Sequence, residues 1–93
     1  MHLWIRTPPG RFVVREWNGS CVIFDLLSSD THACDAVATA VLHELGNDPV
    51  DVKRVSRALA SALRTPGDAD LTTAVVAALE NLERLGLAER TVL

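Results

Sequence analysis

Residues 11–34 read RFVVREWNGSCVIFDLLSSDTHAC, a stretch holding two strands, a tight turn and a short third strand that stops where the first helix begins. Phe12, Val14 and Glu16 fall on one face of the first strand, and Val13, Arg15 and Trp17 on the other. In the second, Val22, Phe24 and Leu26 alternate with Cys21, Ile23 and Asp25. Period-two alternation in β-branched and aromatic residues marks strands with one buried face. Between them, Asn18-Gly19 suits a type I′ turn, because both central residues must take positive φ. The expected unit is a hairpin. Leu27-Ser28-Ser29-Asp30 turns the chain again, and Thr31-His32-Ala33 then has room for a third strand at the sheet edge. A small sheet with an open edge needs cover, and the rest of the chain supplies helices.

Downstream, the pattern changes to a helical period. Asp35 is placed to cap a first helix running to about Leu45, by accepting hydrogen bonds from unpaired backbone amides. Val37, Ala38, Val41, Leu42 and Leu45 form its apolar stripe, with His43 and Glu44 facing out. Gly46 is expected to end it in the left-handed conformation that costs glycine nothing. Asp48-Pro49-Val50-Asp51 signals a second start, with Asp48 as cap and Pro49 in the first helical position. Its buried stripe is Val52, Val55, Leu59, Ala62 and Leu63, and Lys53, Arg54, Arg57 and Arg64 make a basic polar side. Solvated charge is what helix surfaces usually carry, so that cluster is read as surface. After the turn Thr65-Pro66-Gly67-Asp68, a third helix runs from Ala69 or Asp70 to Leu85. Leu71, Val75, Leu79, Leu82 and Leu85 give its stripe, widened by Val76 and Ala78. Gly86 closes it, with Leu87 making the apolar contact of such a cap. Arg90 to Leu93 is read as a short final strand.

Upstream, His2 to Arg6 holds an apolar patch, Leu3-Trp4-Ile5, too short to be an element alone. Thr7-Pro8-Pro9-Gly10 breaks it from the hairpin, since prolines cannot donate to a ladder. Two placements stay open: packing across the sheet, or exchange with a second subunit. The order of elements, sheet then three helices, gives an α+β class in a winged-helix-like arrangement: an N-terminal three-stranded antiparallel sheet followed by a three-helix bundle.

Composition narrows the function. The 93 residues make one domain, 1–93, large enough for a single core but not for a deep active-site cavity as well. With two Trp, two Phe and no Tyr, the core must be mainly aliphatic. A net charge of −3 argues against a general polyanion binder, which needs clustered Lys and Arg. No apolar run approaches the ~20 residues of a membrane span. MHLWIRTPPG lacks the basic start and apolar core of a secretory signal, so a cytosolic location is expected.

The carboxylates sit mostly where capping explains them, or on exposed helix faces as with Glu80 and Glu83. No nucleophile elbow, dinucleotide fingerprint, phosphate-cradling loop or zinc-protease motif is present. Cys34 and His32, two apart on a strand, share a face and are the nearest approach to a thiol–imidazole pair. Nothing in the sequence supplies the electropositive setting that activates a thiol. Cys21 and Cys34 fit no ligand-pair spacing and are read as reduced, partly buried thiols. His2, His32 and His43 are scattered, so no metal site is expected. The reading is a protein that is not an enzyme and carries no cofactor.

Several features then line up in order. Arg15-Glu16-Trp17 ends the first strand, Val22-Ile23-Phe24-Asp25 forms the second, and Ser28-Ser29-Asp30-Thr31-His32 leads straight into an Ala-rich helix. Asn81-Leu82-Glu83-Arg84-Leu85-Gly86-Leu87 stands at the far end. From Trp4 to Leu87 the chain resembles the PqqD-like family of peptide chaperones, in particular the branch associated with clusters encoding an HPr-kinase-related protein. In the branch it resembles, the turn is a Ser-Gly-Asp-Thr-His pattern, so Ser29 stands where glycine is usual.

The resemblance implies a recognition module for the leader of a ribosomally made precursor peptide, handed on to a modifying enzyme from the same gene cluster. The leader adds a strand beside the third strand of the sheet, over a groove whose other wall is the third helix. Carried onto this chain, the edge is Thr31, His32, Ala33 and Cys34, and the helical wall comes from Leu71, Thr72, Val75, Val76 and Leu79. An edge strand presents unpaired amides and carbonyls that an extended peptide can satisfy. Two alternatives belong to other classes. A winged-helix DNA binder needs Arg, Lys, Asn or Gln near the start of its reading helix, where this chain has Ala69-Asp70-Leu71-Thr72-Thr73. An assembly domain would dimerise through the N-terminal segment or the open edge, which leaves a homodimer open.

Overall fold

The computed structural model describes residues 2–7 and 10–92. Strands β2 (Phe12–Trp17), β3 (Ser20–Asp25) and β4 (Thr31–Cys34) form an antiparallel sheet in the order β2-β3-β4. The hairpin closes as the dipeptide requires: Asn18 and Gly19 take φ of 53° and 78°, and Trp17 pairs with Ser20. Helices α1 (Ala36–Glu44), α2 (Val52–Ala62) and α3 (Ala69–Leu85) follow, then strand β5 (Ala88–Val92). The class is α+β, with the three-stranded sheet before the three helices as expected. A separate two-stranded sheet joins the chain ends.

That second sheet corrects the reading of the N-terminus. Residues His2–Arg6 are a strand, β1, antiparallel to β5 from the pair His2 and Val92 to the pair Arg6 and Ala88. On the other side of β1, Trp4 exchanges main-chain bonds of 2.8 and 3.0 Å with Val50, and Arg6 donates to the Gly46 carbonyl at 2.9 Å. The segment therefore pairs within its own chain. Pro8 and Pro9 of the expected break, and Leu93 of the expected final strand, lie outside the described residues.

The bonds to β1 also move two helix ends. Val50 is held extended by Trp4, so α2 cannot start at Pro49. Asp51, not Asp48, caps it, accepting from the Arg54 amide at 2.8 Å. The residue after α1, Leu45, is extended (φ −82°, ψ 134°). Gly46 has no positive φ, and its carbonyl serves Arg6 instead of closing a left-handed cap. The caps at Asp35 and Gly86 follow the sequence, and Asp68, read as a turn residue, caps α3. Asp35 accepts from Ala38 at 2.8 Å and Asp68 from Leu71 at 3.0 Å. Gly86 takes φ 87° while Leu87 donates to the Leu82 carbonyl at 2.8 Å, with Leu87 buried below.

The core lies between the helices and the inner faces of both sheets. Ile23, Val41, Val55, Leu59, Val75, Leu79 and Leu82 are its most buried aliphatics. The expected α2 stripe shortens, because Ala62, the last residue of the helix, and Leu63, just beyond it, are exposed. On β3 the buried set is Cys21, Ile23 and Asp25, while the more apolar Val22, Phe24 and Leu26 face away from the helices. Asp25 survives burial because Arg11 grips it at 2.9 Å and the Leu27 amide donates to it at 2.9 Å. No helix of the described residues is long and apolar enough to cross a membrane.

Candidate functional site: the β4 edge and the groove beside α3

Strand β4 is at the border of its sheet, and among the described residues no strand lies beyond it. Which of its main-chain groups are free follows from register. Asp25 donates to the Asp30 carbonyl at 2.9 Å, which makes that opposing pair a hydrogen-bonded one. Hydrogen-bonded pairs recur every second residue in an antiparallel ladder. Ile23 with His32 and Cys21 with Cys34 are therefore hydrogen-bonded too. His32 and Cys34 turn their main-chain groups toward β3; Thr31 and Ala33 turn theirs outward. Among the described residues nothing bonds that outward edge. It offers two amides and two carbonyls at the spacing of an added strand.

Next to this edge runs a groove of about 350 Å³, lined by Ala33, Cys34, Asp35, Val37 and Ala38 on one side and by Ala74, Ala77, Ala78 and Asn81 of α3 on the other. A second depression of about 480 Å³ shares Ala77 and Asn81 and continues past Glu80 and Arg84, so the two form one trough along the helix. The wall beside β4 is mostly alanine and valine, with Cys34, Asp35 and Asn81 among them, and the continuation is polar, with Glu80, Asn81 and Arg84. Asp35, the one carboxylate in the deeper part, is already engaged as the cap of α1.

The expected site residues divide accordingly. Thr31, His32, Ala33 and Cys34 form β4, with Ala33 and Cys34 in the groove wall. Leu71, Val75 and Leu79 are core residues of α3 and do not line the groove. Thr72 lies on the other flank of α3, in a hollow with Lys53, Ser56 and Arg57 of α2, and Val76, one turn later, shares that flank. Leu71, Thr72, Val75, Val76 and Leu79 are thus all displaced from the wall, which Ala74, Ala77, Ala78 and Asn81 supply. The physical reason is helical phase. The large aliphatics pack inward, and the face turned to β4 is the one with the shortest side chains, because only there does the sheet edge stand off and leave room. A signal for it exists in the sequence: Ala74, Ala77 and Ala78 recur at helical spacing beside the stripe, a run of small residues where a surface helix usually carries charge.

Burial, followed by the adjacent Cys21 thiol and the Asp35 carboxylate, pushes the Cys34 thiol up to about 11. At neutral pH it stays protonated, the opposite of what a nucleophile requires. Among the described residues no group of three His, Cys, Asp or Glu gathers where a metal ion would sit. Comparison of the chain with family models, with curated proteins and with solved structures finds no match in any of the three.

Proposed function

We propose that this chain is a non-catalytic peptide-recognition module that captures an extended segment by strand addition along β4. The single observation that carries this reading is the unpaired outward edge of Thr31 and Ala33 standing over an alanine-walled trough. Strand addition takes affinity from main-chain bonds and selectivity from pockets that admit alternate side chains. The edge offers the bonds, and the short side chains of α3 leave volume for the guest. Together with the PqqD-like resemblance, this makes the guest the leader of a ribosomally made precursor peptide, presented to a modifying enzyme.

The parity of β4 supplies a clean test. The Ala33 amide points outward, so Ala33→Pro deletes a guest-directed donor without touching the ladder to β3. Ala77→Arg fills the trough from the helix side. The assay is fluorescence anisotropy with a labelled precursor peptide encoded beside this chain's own gene. Wild type should bind, and each variant should lose at least tenfold in affinity with its circular-dichroism spectrum unchanged. Wild-type affinity in both variants, or a cluster with no precursor gene, overturns the proposal.

A further inference from the structure

A second surface is left over that strand addition along β4 does not use. The face of the three-stranded sheet turned away from the helices carries Val13 and Trp17 from β2 and Val22 and Phe24 from β3, with Leu26 just beyond. Trp17 is 56% exposed, Leu26 54%, Phe24 40% and Val13 36%. These side chains adjoin. Val13 lies directly opposite Phe24, and Val22 opposite Arg15, which itself stands between Val13 and Trp17. Contiguous exposed apolar surface of this kind marks an interaction site in proteins that otherwise bury it. Exposed aromatic residues ringed by smaller apolar ones are what interface anchors look like.

The charge on this face says what covers it. Arg15 is the one charged side chain among the outward-facing residues of β2, β3 and β4, and among the described residues it makes no ion pair. Glu16 points to the opposite face, where it meets His43. A second copy stacked on the patch by a two-fold axis would bring two unpaired guanidiniums together out of water, which is costly. An anionic membrane has a single free cation to attract it here, against a chain of net charge −3. A protein segment with apolar residues around one carboxylate satisfies both features at once, burying Trp17 and Phe24 and pairing Arg15 bidentately.

The geometry points to the outer sheet face, centred on Arg15 between Val13, Trp17, Val22 and Phe24, as a docking site for an acidic, apolar segment of a partner protein. The patch adjoins β4, where Val22 stands opposite Ala33 and Phe24 opposite Thr31, but its centre at Arg15 and Trp17 lies on β2, two strands in from the border that strand addition would use.

The test is panning of a phage-displayed library of random twelve-residue peptides on the full chain, with enriched clones remade as synthetic peptides. The expected clones carry Asp or Glu flanked by Leu, Phe, Ile or Trp. They lose at least tenfold in affinity on Trp17→Ala and on Arg15→Ala, favour Lys-substituted versions on Arg15→Glu, and bind Ala77→Arg as they bind wild type. Several outcomes overturn the inference. One is a set of clones with no acidic bias, or with binding lost on Ala77→Arg but kept on Trp17→Ala. Another is a wild-type dimer in sedimentation that becomes monomeric on Trp17→Ala. A third is binding to phosphatidylglycerol vesicles that Trp17→Ala abolishes. Trp17 and Arg15 are both exposed, and unchanged circular dichroism in their variants separates lost docking from lost fold.

Discussion

Arg64 takes φ 52° just past the end of α2. Thr65 donates to the Ala60 carbonyl at 3.0 Å and Arg64 to that of Ser61 at 3.3 Å, the paired bonds of a Schellman cap in which glycine usually sits. A left-handed residue with a Cβ costs about 1–2 kcal/mol. Glycine gives back about 0.5–1 kcal/mol of that in unfolded-chain entropy. Arg64→Gly should therefore stabilise the domain by about 0.5–1 kcal/mol, seen as a higher melting temperature; a lower one would mean that the cap is not strained. Ser29, at φ 64° with no bond from its hydroxyl among the described residues, should respond to glycine in the same direction. Asp25 behaves differently, because its value lies in its charge. The Arg11 guanidinium, helped by the Leu27 and Ser28 amides and opposed by burial, holds its carboxyl well below the usual carboxylate range. The unfolded chain then binds the extra proton as pH falls below the ordinary Asp value of about 3.9. The stabilisation is thus complete above that value and is lost as acid titrates through the lowered pKa. Urea midpoints should fall steeply below about pH 4 in wild type. Asp25→Asn should be weaker at pH 7 and show a flatter acid limb.

At the scale of elements, β4 has two kinds of position. Ala33 faces its amide to the open border, while the His32 amide is bonded to β3. Ala33→Pro should therefore leave the denaturation midpoint nearly unchanged, whereas His32→Pro removes a ladder bond and should cost about 1–3 kcal/mol. Equal losses would show that the register assigned to β4 is wrong. How much of this was legible in the sequence depends on how local each cause is. The Asn18-Gly19 hairpin, the caps at Asp35 and Gly86, and the α3 stripe all arise within a few residues, and all were readable. The face chosen by β3 was not, since Val22, Phe24 and Leu26 are the more apolar set yet point outward. What decides it is a buried carboxylate, Asp25, whose guanidinium partner Arg11 stands just before the neighbouring strand, a pairing that strand alternation does not reveal. The trough wall was missed for a related reason. Stripe periodicity finds the residues that fill a core, whereas a groove is lined by the small ones beside them. Val76, on the α2 flank and half-buried, should lose stability as Val76→Asp instead of losing peptide capture.

Across the whole molecule, the least legible feature is also the one that closes the fold. His2–Arg6 reads as a short apolar patch because its strand partner is at the other end of the chain, and its second neighbour, Val50, lies in a helix-start signal. Trp4 is where these meet. It is 3% exposed, bonded through its main chain to Val50, and covered by the Arg90 guanidinium of β5 at 4.5 Å from the ring. Arg90 is itself fixed to Glu83 of α3 at 3.0 Å, so one indole ties both chain ends to the helices. Removing a buried Trp side chain costs about 3–5 kcal/mol, a large share of the 5–15 kcal/mol that stabilises a typical domain. Trp4→Ala should then lower the melting temperature by at least about 12 °C at this chain length. Trp4→Phe keeps a smaller aromatic ring and deletes the indole N–H, which is buried without a partner, so it should retain more of the stability than Trp4→Ala. Trp17→Ala supplies the internal contrast, because that ring is exposed and its loss should leave the melting temperature within about 2 °C. If Trp4→Ala melts like Trp17→Ala, the ends of the chain are not joined in the folded monomer, and exchange of the N-terminal strand between subunits becomes the better account of β1.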